Sequence, residues 1–180
     1  MFIGKNQSRY WKSLVKKIGQ MMFVIVLLTT PVFAEEADKD ELMDFDRGEL
    51  IQAAIDNQVN SYAPYSNFNV SAAVLMDSGE VYLGVNVENA SYPVGVCAER
   101  NAICHAVECG ERRIVAIAIV GGPNFEISDY CAPCGMCRQA MREFCDPAEM
   151  QVIMAKSAED YKEMTLEELL PESFGPASLQ

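Results

Sequence analysis

Cys97-Ala98-Glu99-Arg100 is answered further along the chain by Pro133-Cys134-Gly135-Met136-Cys137. Three thiols at this spacing suit a zinc ion. A structural zinc site is closed by four protein ligands, whereas a catalytic one keeps a position for water. Here the next obvious donor is Glu99, a carboxylate placed two residues after the first thiol. That pattern predicts a working zinc site. Cys131 extends the second stretch to C-x-x-C-x-x-C, so spacing alone leaves two CxxC registers open. His105, the only histidine, lies eight residues past Cys97 and reads as a packing residue, not a ligand.

The motif sits inside a regular alternation of elements. From Cys97 to about Val107 no breaker intervenes, which predicts a helix with Cys97 in its first turn, where the dipole favours a thiolate. Pro133 predicts the opening of a second helix, running from Cys134 to about Phe144, because proline at the first helical position loses no hydrogen bond. Between them Val115-Ala116-Ile117-Ala118-Ile119-Val120 is a continuous apolar run ended by Gly121-Gly122-Pro123. Such a run suits a strand covered on both faces. Upstream, Phe68, Val70, Ala72 and Val74 alternate, Asp77-Ser78-Gly79 turns the chain, and Val81, Leu83 and Val85 alternate again. A helix is expected from Arg47, with Leu50, Ile51, Ala54, Ile55 and Val59 on one face. Gln151–Ala155 adds a strand, and a short capped helix follows at Thr165–Leu170. The sum predicts an α/β fold: a three-layer α/β/α sandwich around a mixed sheet of about five strands.

The 180 residues carry a formal charge of −12, unevenly spread. Residues 1–34 hold Lys5, Arg9, Lys12, Lys16 and Lys17 and no acid, then an apolar run and Val32-Phe33-Ala34. That is the pattern of a secretory signal, and the run is too short for a stable membrane span. It implies export; a true start at Met43 would instead make the protein cytoplasmic. Residues 35–46 form an acidic linker, and 47–180 the folded domain. Beyond residue 34 nine bases face twenty-six acids, a poor surface for nucleic acid, whose phosphates need Lys and Arg. A small, weakly charged substrate fits better. Seven cysteines, an odd number, argue against a full disulfide framework. Cys104, Cys109, Cys131 and Cys145 read mostly as small buried apolar groups.

C-A-E followed by P-C-x-x-C-R-Q resembles the cytidine deaminase family in its homotetrameric three-cysteine form, and the likeness runs from about Tyr62 to Gly175. The resemblance selects Cys97, Cys134 and Cys137 as ligands of one zinc ion per subunit, with Glu99 as proton shuttle and Arg100 hydrogen-bonded to the thiolates. It implies hydrolytic deamination of cytidine and 2′-deoxycytidine in pyrimidine salvage. Asn86 and Glu88 match a pair that binds the ribose, within a substrate loop Asn86-Val87-Glu88-Asn89-Ala90-Ser91-Tyr92. Phe68 matches an aromatic that packs on the pyrimidine, and Phe174 one that reaches in from a neighbouring subunit. The same zinc site also serves deaminases of aminopyrimidine nucleosides such as blasticidin S. From another class, a non-catalytic zinc clip would need Cys131 or His105 as fourth ligand and leaves Glu99 without a role.

Overall fold

A computed structural model of the chain describes residues 44–179, so the signal-like segment 1–34 and most of the acidic linker lie outside the described residues. Among the described residues no helix is long and apolar enough to cross a membrane.

Helix α1 (Arg47–Asn57) starts where Asp46 accepts a hydrogen bond from Glu49 N at 3.0 Å, satisfying one of the donors a helix start leaves open. It buries Leu50, Ile51 and Ala54. Val59, expected on the same face, falls instead in the 3₁₀ turn Gln58–Asn60 and is exposed, because the change of pitch swings it off the stripe. Strands β1 (Phe68–Met76) and β2 (Val81–Val85) form the expected hairpin. Helix α2 (Ala98–Glu108), β3 (Ile114–Pro123), α3 (Gly135–Arg142) and β4 (Gln151–Ala155) follow. The fifth strand is β5 (Tyr161–Thr165), which runs into α4 (Leu166–Leu169). Thr165 and Glu168 cap that helix reciprocally.

Both zinc-motif helices begin one residue later than the sequence suggests. Cys97 and Cys134 are N-cap residues in extended backbone, not first-turn residues. Pro133 therefore precedes the cap and does not occupy the first helical position. The correction matters chemically, since an N-cap side chain points across the helix mouth and not along its side.

The sheet order is β2-β1-β3-β4-β5, antiparallel except for β3 beside β4, which the α3 crossover makes parallel. Side chains alternate between two cores. Ala72, Val74, Met76, Ile117, Ile119 and Val152 face α2, α3 and α4, meeting Ala98, Ala102, Met141 and Leu166. Ala73, Leu75, Ala116, Ala118, Val120 and Ile153 face α1. That is the three-layer sandwich. Arg47 closes one edge through two hydrogen bonds to Glu163 on β5, at 2.7 and 2.9 Å.

One expectation about the cysteines needs correcting. Cys104 and Cys109 are exposed, and Cys131 and Cys145 are half-buried, so none of the four is a fully buried filler. Cys104 lies on the side of α2 turned away from Ala98, Ala102 and Ala106, and Cys109 is the C-cap residue just past the end of the helix. His105 is exposed too, and packs edge-on against Tyr82 with ring centres 5.2 Å apart.

Candidate metal centre and active site

The two helix mouths bring three sulfurs together. Sγ of Cys97, Cys134 and Cys137 all lie within 4.8 Å of one another. Cys97 is 3.9 Å from Cys134, which is 3.4 Å from Cys137. Cys131 lies outside this cluster, which selects the register ending in Cys134 and Cys137. Neither His105 nor any other Cys, Asp or Glu among the described residues joins them, so a four-ligand clip lacks its fourth member.

Hydrogen bonds from Cys137, then Cys134 and Arg100, hold the Cys97 thiol down to about 5, against an opposing contribution from burial. Cys137 is pushed up because it gives its proton to that bond and is itself buried. A thiolate already favoured at neutral pH is what a zinc ligand must be. Arg100 supplies a second sign. Its Nη2 donates to Gly95 O at 3.4 Å, while its buried Nε has no partner. A buried donor left open beside thiols fits a site whose full negative charge develops when metal is held. The residues fit zinc.

Glu99 occupies the first turn of α2 and is only 4% exposed. Burial raises its pKa above the usual carboxylate range, with the Cys97 charge adding to it. A buried acid whose pKa is raised, set beside a water-activating site, is suited to proton transfer. Cys131 is half-buried, and burial pushes its thiol up to about 11, leaving it an inert neighbour.

The expected substrate loop divides into structural and open residues. Asn86 uses both ends of its amide on β1: Val70 N donates to Oδ1 at 2.9 Å, and Nδ2 donates to Phe68 O at 2.8 Å. Val87 is bridged to Tyr62 and Val96. Glu88 Oε2 accepts from Tyr65 N at 2.8 Å and Ser66 N at 3.2 Å, and the bonds from Ser66 and Tyr65 hold its carboxyl below the usual range. Asn89 accepts from Ser91 N, and Ala90 and Ser91 are exposed. Tyr92 stands edge-on to Tyr65 at 6.0 Å. Glu88, Asn89 and Tyr92 line a cleft of about 340 Å³ together with Tyr65, Ser66 and Gly95. Tyr65 and Ser66 contribute backbone N–H groups, which their side-chain character does not reveal. Phe68 is 41% exposed at the start of β1. Phe174 is 57% exposed, and its carbonyl accepts from Gln139 on α3 at 3.0 Å.

Thiol ligands that stop at three, with an acid buried at their side, define a hydrolytic zinc enzyme and not a zinc clip. Comparison with known proteins narrows the class. Residues 46–155 match the cytidine and deoxycytidylate deaminase zinc-binding region. A cytidine deaminase of Halalkalibacterium halodurans is 45% identical over 129 residues, covering 72% of this chain and 94% of that protein. The crystal structure of cytidine deaminase from Burkholderia pseudomallei superposes with a TM-score of 0.63 at 42% identity, over 70% of this chain and 97% of that one. The enzyme of that name from Mycobacterium tuberculosis gives 0.63 at 36% identity, over 73% and 99%. The chain belongs to the cytidine and deoxycytidylate deaminase family.

Proposed function

We propose that this protein hydrolyses cytidine and 2′-deoxycytidine to the corresponding uridines, releasing ammonia, with one zinc per subunit held by Cys97, Cys134 and Cys137. The observation that carries this reading is the buried Glu99 beside three clustered thiols. When bound, zinc supplies the Lewis acidity that lets water attack C4 at neutral pH.

The chain's own groups manage protons and charge. Glu99 takes a proton from the attacking water and delivers it to N3. It then carries a second proton to the amino group, so that ammonia leaves as C4 becomes a carbonyl. Burial raises the Glu99 pKa, favouring the protonated form that must then give its proton up again. Arg100 offsets the negative charge of the thiolates. Phe68 flanks the pyrimidine and Glu88 receives the ribose. Asn86 acts through its two bonds to β1, fixing the strand end that displays Phe68. The acidic surface beyond residue 34 supports a free nucleoside over a nucleic acid.

Glu99→Gln tests the mechanism. Its amide still hydrogen-bonds a pyrimidine but carries no proton. The variant should retain zinc and melting temperature while turnover falls by about 10²–10⁴-fold. Near-normal turnover by zinc-loaded Glu99→Gln would remove Glu99 from the reaction.

A further inference from the structure

Pro123-Asn124-Phe125-Glu126 is a tight turn, closed by a hydrogen bond from Glu126 N to Pro123 O at 2.9 Å. Both central residues have positive φ, 50° at Asn124 and 68° at Phe125. That is the type I′ pattern, whose second central position strongly prefers glycine. Asn124 tolerates the left-handed region because its short side chain can bond locally. A phenylalanine there sets its Cβ against its own carbonyl oxygen. Nor does packing recompense it, since Phe125 is 50% exposed. The turn is nonetheless held firmly. A side chain at Gly122 would collide with the Glu126 carbonyl, and Asn124 N donates to Asn67 O at 2.8 Å.

Its location gives the strain a meaning. Pro123 pairs across β1–β3 with Phe68, whose carbonyl is held by Asn86. The turn therefore grows from the strand end that carries Phe68, the residue assigned to the pyrimidine. A bulky apolar residue kept in a glycine's conformation, half in water, is costly for both stability and solubility. Such outliers persist where the surrounding structure enforces them for a function.

We propose that Phe125 is a specificity-determining residue that contacts the apolar face of a pyrimidine nucleoside at the rim of the site, beside Phe68. This rests on the deaminase reading above. The chemistry is that of an aromatic wall, which favours a planar base or the C–H face of a sugar.

The opposing demands of stability and binding make the test sharp. Phe125→Gly and Phe125→Asn, both at ease with positive φ, should raise Tm by about 2–6 °C. They should also raise the KM for cytidine about five- to twentyfold with kcat within about twofold, as expected on losing one stacking contact. Phe125→Tyr should keep both wild-type values. A KM unchanged in the Gly and Asn variants overturns the proposal, as does a fall in Tm. Loss of assembly at unchanged KM, read by sedimentation, also overturns it, in favour of an interface role. Turnover of cytidine by wild type and Phe125→Tyr in the same assay shows the deaminase reading intact, so a flat KM counts against Phe125 alone.

Discussion

Gly84 on β2 carries the seating of the catalytic helix. A Cβ built there would lie 2.9 Å from Ala102 Cα and nearer still to Ala102 N and Ala98 O. All three atoms belong to the backbone of α2, so no side chain can rotate out of the way. Ordinary carbon contacts begin at about 3.5 Å, so in Gly84→Ala the helix must retreat by roughly 1 Å. Forcing one methyl into a packed interface costs about 1–3 kcal/mol, which for a domain of this size lowers Tm by about 3–10 °C. Activity should suffer more. Cys97 caps this helix and Glu99 is in its first turn, and a misplacement of about 1 Å at reacting groups can cost about 100-fold in rate. Zinc content, Tm and kcat/KM measured on one zinc-saturated preparation check the argument. The expected result is a folded protein, modestly destabilised, with kcat/KM down by about two orders of magnitude. Wild-type kcat/KM in a Gly84→Ala protein would show that β2 does not set the position of α2.

Two further outcomes follow from the site. Cys134→Ala should lose zinc and activity together, whereas Cys131→Ala should spare both, as read by metal content after dialysis; the reverse pattern would move the ligand set by one CxxC. The family resemblance also implies a homotetramer in which Phe174 completes a neighbour's pocket. Phe174→Ala should then raise KM and loosen assembly in sedimentation velocity, truncation after Leu170 should do both more strongly, and a fully active truncated monomer would end the shared-site idea.

Much of this molecule was legible in its residues because function and fold use the same signals. The cysteine spacing marked the two helix starts to within one residue, and the apolar run at 115–120 marked the central strand. What escaped notice lies where side-chain character and backbone role part company. β5, Tyr161-Lys162-Glu163-Met164-Thr165, sits at the sheet edge with only one face covered, so its polar content hid its periodicity. Phe125 gave no turn signal, since a type I′ turn without glycine breaks the chemistry by which such turns are read. Asn86 shows the complement: its place in a substrate loop was visible, but not that its amide also makes two hydrogen bonds to the backbone of β1. Gly84 looks like any strand glycine until a helix backbone is laid against it. The exposure of Cys104 was not legible because composition says how often cysteine is buried, not which side of a helix meets the core, and that of Cys109 because it lies past the helix end.

The caps of α2 and α3 carry one more implication. Serine, threonine, aspartate or asparagine at an N-cap would satisfy an open backbone N–H, and here both positions are cysteines whose side chains make no such bond. The chain forgoes the ordinary local fastening at the two helix starts that matter most and hands that task to the metal. Zinc is thus a shared end-stop for two separate helices, one on either side of the β3 strand in sequence. Its release would fray both at once, so the protein's resistance to unfolding should track free zinc concentration by mass action, rising as RT ln(1 + [Zn]/Kd). In a compartment poor in zinc, the catalytic cofactor would also be the stability limit of the fold.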